Sequence, residues 1–154
     1  MKKYLILSAF ICSGIFLNAQ NFSLSAKSGD VELDASLNDI NVKAKTDINV
    51  FKKDLSIEFN IGVPKIEQML SVQMSPADIY MVAEVANFTK KEPEAVEACF
   101  NKNKDKGWGV IAKEMGIKPG SPEFHALKGK AKNKKEKGNH GGGNGHGKGH
   151  GKNK

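Results

Sequence analysis

Nowhere is the chain apolar for the roughly 20 consecutive residues that a membrane-spanning helix needs. Its longest apolar run, residues 4–17, is interrupted by Ser8, Ser13 and Gly14. Cysteine is scarce, with Cys12 and Cys99 alone, and there is one tryptophan. After Lys128 no apolar residue larger than Ala131 occurs and no aromatic residue at all. That poverty excludes a packed core at the C-terminal end and removes the stacking platforms that hold bases in nucleic-acid binding. No nucleophile with histidine and acid partners, and no regular metal-ligand spacing, stands out anywhere, so an enzyme is not expected.

What is present begins with an export signal. Lys2 and Lys3 form a positive start, the short apolar run follows, and Asn18-Ala19-Gln20 offers a small residue for cleavage. This order is that of a secretory signal peptide over residues 1–19, and it implies a secreted or periplasmic protein without a membrane span in the mature chain. Cleavage after Ala19 removes Cys12. Cys99 is then the sole thiol in a compartment where thiols usually pair. It is either buried and inert or the site of a disulfide-linked dimer.

Charge divides the remainder. The formal net charge is +7, with 24 Lys+Arg against 17 Asp+Glu. Residues 128–154 contain nine lysines and one glutamate, a local charge of +8, which leaves −1 for everything before them. Glycine, asparagine and histidine fill the gaps, and ordering such a stretch costs about 1–2 kcal/mol per residue with nothing to bury in return. Residues 129–154 are therefore expected to be a disordered tail.

Between a linker at residues 20–30 and that tail, the hydrophobic period changes once. Val31, Leu33, Ala35 and Leu37 alternate with polar residues, and after Asn38-Asp39 the phase flips to Ile40, Val42 and Ala44. Ile48 and Val50 keep that phase; a second flip follows Lys52-Lys53-Asp54 and leaves Leu55, Ile57, Phe59 and Ile61 in step. Phase flips at turn formers predict a short antiparallel β-meander over residues 31–62. From Gly62-Val63-Pro64 the period is helical. Ser75-Pro76-Ala77-Asp78, Glu92-Pro93-Glu94 and Ser121-Pro122-Glu123 are proline-first helix starts, and Gly116 suits the residue after a helix end. Four to five helices are expected over residues 63–128. The one after Ser75, apolar around most of its circumference, should be the most buried. The fold class expected is α+β.

The string GWGVIAKEMGIKPGSPEFHALK at residues 107–128, together with Pro76-Ala77-Asp78-Ile79-Tyr80-Met81, resembles the signature of a family of small exported bacterial proteins. The resemblance spans about residues 63–128 and implies a shared fold. It brings no activity and no residue role. Ala112 and Gly116 also have the spacing of a helix-turn-helix, but Lys118-Pro119-Gly120-Ser121-Pro122 extends the turn where a recognition helix should begin. Two packed helices joined by a turn explain the same residues, and sequence-specific DNA binding is not expected.

The remaining candidates are weighed on residue chemistry. Lys128, Lys130, Lys132, Lys134, Lys135, Lys137, Lys148, Lys152 and Lys154 form a cationic arm suited to anionic lipid, glycan or an acidic protein face. His140, His146 and His150 offer imidazoles for weak Ni, Cu or Zn binding, but their spacing is irregular and no carboxylate or thiolate stands near. No other cofactor is implied. In the body, Cys99 and His125 read as structural residues, Trp108 as an inward anchor, and Asp78 and Glu94 as acids at helix starts. The function expected is an exported, non-enzymatic binding or envelope-associated protein with a basic tail. Weak metal binding by the tail, and a hydrolase whose site is not visible in the sequence, are the alternatives.

Overall fold

Asp30 has extended backbone, accepts a hydrogen bond from the Leu33 N–H at 3.0 Å, and opens a helix, α1 (Val31–Thr46). The computed structural model describes residues 27–137. Glu32 and Asp34 in the first turn of α1 and Lys43 and Lys45 in the last complement the helix dipole. A single residue, Asp47, then ends α1 and caps α2 (Ile48–Phe59), accepting from the N–H groups of Asn49 and Val50. Asn60 closes α2 in the left-handed conformation.

These two helices occupy the region where the alternating pattern predicts a β-meander. Among the described residues there is no strand, and the architecture is all-helical rather than α+β. The pattern misleads because two periods coincide in it. Leu33, Leu37, Ile40 and Ala44 are buried, a helical stripe of spacing four, three and four. The step from four to three falls at Asn38-Asp39, where it imitates a phase flip. Val31 and Val42 supply the alternation, and both are exposed. Ser36 and Asn41 hold polar places in the alternation, yet both are buried. In α2 the same confusion recurs: Phe51 and Leu55 face the core, while Val50 and Ile57 face out. The aspartates at 30 and 47 are helix caps.

The later helices fall where the capping residues put them. They are α3 (Val63–Ser71), α4 (Pro76–Thr89), α5 (Pro93–Lys102), a 3₁₀ turn at Lys104–Lys106, α6 (Trp108–Glu114) and α7 (Pro122–Lys137). Ser75 and Asp78 form a reciprocal capping box at the start of α4. That helix runs through the centre: Ile79, Tyr80, Met81, Val82 and Val85 are all fully buried. Helix α1 packs against α4, α2 and α7, and α5 joins α4 to α6. Buried Asn41 ties α1 to α4 by accepting from the Ala77 N–H at 2.8 Å.

Helix α7 continues to Lys137, so residues 129–137 are helical, contrary to a tail that begins at 129. Leu127 and Ala131, four apart, are completely buried and extend the contact with the body. Alanine therefore serves as a core residue where composition alone suggested nothing to bury. Residues 1–26, which include the segment expected to be a signal peptide and most of the expected linker, and residues 138–154 lie outside the described residues.

One close approach explains the two glycines around Trp108. The Trp108 N–H donates to Lys27 O at 2.7 Å and the Gly109 N–H to Ser28 O at 3.0 Å. A Cβ at Gly107, whose φ is +80°, would stand 2.7 Å from Lys27 O, and one at Gly109 would collide with Ser28 O. The N-terminal end of α6 thereby receives residues 27 and 28 as an extended strap.

Candidate functional site

The lysines of α7 do not all point into water. Lys128 pairs with Asp30 at 2.8 Å and Glu32 at 3.3 Å, at the start of α1. Lys130 reaches Glu84 of α4 at 3.2 Å, and its ammonium lies 4.9 Å from the centre of the Phe88 ring. Lys134 pairs with Glu58 of α2 at 2.6 Å. Three carboxylate sites on three helices therefore hold one helix by its lysines. The Lys128 pair pulls the Asp30 carboxyl below its ordinary pKa and raises that of Lys128.

Glu84 is the unusual member. Its side chain is only 1% exposed. Oε1 accepts from the Tyr80 hydroxyl at 2.9 Å and Oε2 faces Lys130. Burial raises its pKa, with the Tyr80 and Lys130 contacts opposing. Burial, then the negative charge of Glu84, pushes the Tyr80 phenol up as well. Phe59 packs its ring edge against Tyr80 at 6.0 Å between centroids. Both carboxylate oxygens are thus engaged and the side chain is closed off from solvent, which makes Tyr80, Glu84 and Lys130 a satisfied interior network. A lone acid inside the apolar run 79–86 was its signal in the sequence.

A groove of about 730 Å³ is lined by α1, α2 and the one-residue joint between them at Asp47. Ile40, Ala44 and Phe51 form its floor, and Val50 and Ile57 stand on its α2 wall. The Glu58–Lys134 pair closes one side. Lys43 on α1 and Asp54 on α2 also line it, and neither side chain has an ion-pair or hydrogen-bond partner among the described residues. Reading residues 31–62 as strands hid this juxtaposition, because Val50, Asp54 and Ile57 share a face only at helical spacing.

Of the residues singled out in the body, the structure brings Trp108 and Asp78 into contact. Trp108 is buried, stacks on Phe100 at 5.3 Å between centroids and donates its indole N–H to Asp78 at 2.8 Å. Cys99 is buried and lies 3.4 Å from Glu114 Oε2, which also accepts from Asn103 Nδ2 at 2.9 Å. Burial, then the Glu114 contact, raises the thiol pKa and keeps it protonated. Glu94 stands 3.4 Å from Lys65 at the start of α5, and His125 is exposed on α7. Lys132 is exposed. Lys148, Lys152 and Lys154, with His140, His146 and His150, lie outside the described residues, as do the side chains of Lys135 and Lys137. Among the described residues no three His, Cys, Asp or Glu side chains gather as metal ligands, and no helix is long and apolar enough to cross a membrane.

The chain matches no protein-family model, no curated protein and no solved structure.

Proposed function

We propose that the protein is an exported, non-enzymatic binding or envelope-associated helical protein whose cationic C-terminal region contacts anionic surfaces or polymers. The observation that carries this reading is the segregation of charge: residues 128–154 carry +8, against −1 for all the residues before them. Docking of α7 refines which lysines serve. Lys128, Lys130 and Lys134 are neutralised by carboxylates of the body. The partner is therefore met by Lys132 and by Lys135, Lys137, Lys148, Lys152 and Lys154. Each lysine near an anionic membrane contributes about 1 kcal/mol, and salt screens the attraction.

The test compares the mature chain with a variant lacking residues 138–154 and with one in which Lys132, Lys135 and Lys137 are changed to glutamine. Retention on vesicles containing phosphatidylglycerol, and on a sulfated polysaccharide, is measured at two salt concentrations. Retention should fall with salt and fall again in each variant. Retention that ignores salt and is unchanged in the variants overturns the reading.

A further inference from the structure

We propose that the groove between α1 and α2 binds a single-chain phospholipid with a phosphoethanolamine head group. Apart from Lys134, paired with Glu58 at its edge, the site uses no residue of the cationic C-terminal region. Two of the exposed large aliphatic side chains, Val50 at 52% and Ile57 at 73% exposure, line this groove. They lie seven residues apart, on one face of α2, above a floor of Ile40, Ala44 and Phe51. A groove of about 730 Å³ is within the roughly 300–1,000 Å³ of small-molecule sites, which combine apolar walls with a few polar groups.

The polar groups select the head. Asp47 is committed to capping α2, and Glu58 to Lys134. What remains is one cation on one wall, Lys43, and one anion on the other, Asp54, both without side-chain partners among the described residues. A head group carrying a phosphate and an ammonium meets both: the phosphate takes Lys43 and the ammonium takes Asp54. A purely anionic amphiphile would leave Asp54 facing a like charge, and a purely cationic one would do the same to Lys43. A water-soluble zwitterion would leave Val50 and Ile57 wet, whereas one acyl chain covers them.

The experiment is calorimetric titration of the full mature chain with palmitoyl lysophosphatidylethanolamine below its micelle concentration. Lysophosphatidylglycerol of the same acyl chain is the comparison. Saturable one-to-one binding is expected, with the glycerol head bound several-fold more weakly. Lys43→Met and Asp54→Asn should each weaken binding by roughly tenfold, and Ile57→Asp should abolish it. All three positions are on the groove surface, and an unchanged far-ultraviolet circular dichroism spectrum checks that each variant is folded. Deleting residues 138–154 should leave the affinity unchanged. The absence of saturable binding, binding indifferent to Ile57→Asp, or binding lost with the tail overturns the site. Equal affinity for the two head groups overturns the ligand assignment.

Discussion

The indole N–H of Trp108 donates to Asp78 Oδ1 at 2.8 Å, across 30 residues of chain, while Asp78 Oδ2 accepts from the Ser75 hydroxyl at 2.6 Å. One carboxylate thus completes the cap of α4 and satisfies the single tryptophan at the head of α6. Replacing Asp78 with alanine removes a capping-box partner, about 1 kcal/mol, and strands a buried indole donor, about 1–3 kcal/mol. Urea unfolding of Asp78→Ala should therefore show a loss of about 2–4 kcal/mol. Asp78→Asn, which retains an acceptor for the indole, should lose less.

That pair also shows which parts of the fold were legible in the sequence. Ser75-Pro76-Ala77-Asp78 announces its helix because each residue has a local job: cap, first-turn proline, reciprocal acid. The burial of α4 was legible too, since only Asp78, Glu84 and Asn87 interrupt residues 77–88. The first two helices were not, because α1 is an amphipathic helix whose exposed side carries Val31 and Val42 in step with the core residues. Local pattern could not say which valines face water; α7 and α4 decide that by covering Leu33, Leu37 and Ile40. The lysines of α7 failed in the opposite sense. Composition marks them as solvated, yet their partners at Asp30, Glu58 and Glu84 lie at least 46 residues away in the chain.

Glycine substitutions separate a close approach from mere helix content. At Gly109 a Cβ meets the backbone oxygen of Ser28, which cannot turn aside without releasing residues 27 and 28 from α6. Gly109→Ala should destabilise by about 1–3 kcal/mol and speed proteolysis of the N-terminal strap. Gly129 lies exposed within α7, and a Cβ there would have nothing within 4 Å. Gly129→Ala should stabilise by about 0.5–1 kcal/mol through helix propensity alone. Thermal and urea unfolding of the two variants should move in opposite directions.

Cys99 gives a test of the choice between an inert thiol and a bridge between chains. Its burial and its contact with Glu114 both favour the protonated form. At about pH 8 a disulfide reagent should modify the native protein more slowly than the urea-unfolded chain by on the order of a hundredfold. Non-reducing electrophoresis of the freshly purified protein should show monomer. Rapid native modification, or a dimer that reductant dissolves, would return Cys99 to the role of an intermolecular bridge.

The buried Glu84 should leave a mark on the pH dependence of stability. Burial raises its pKa in the folded protein, so the native state holds the proton more tightly than the unfolded chain does. Between the unfolded value, about 4.3, and the raised folded value, the native state binds more protons, and stability from this group falls as pH rises. Asp30 acts with the opposite sign: its lowered pKa gives stability that is present above the unfolded value and is lost as pH falls through the folded one. Glu84→Gln keeps an acceptor for the Tyr80 hydroxyl and removes the titration, and Lys130, itself 46% exposed, returns to water and the face of Phe88. Urea unfolding from about pH 4 to pH 8 should then show the variant gaining on the parent as pH rises above about 4.3, with the gap levelling once Glu84 is ionised in the parent. A gap that stays constant over this range would mean that Glu84 has the same proton affinity folded and unfolded, and that Lys130 and Tyr80 fully offset its burial.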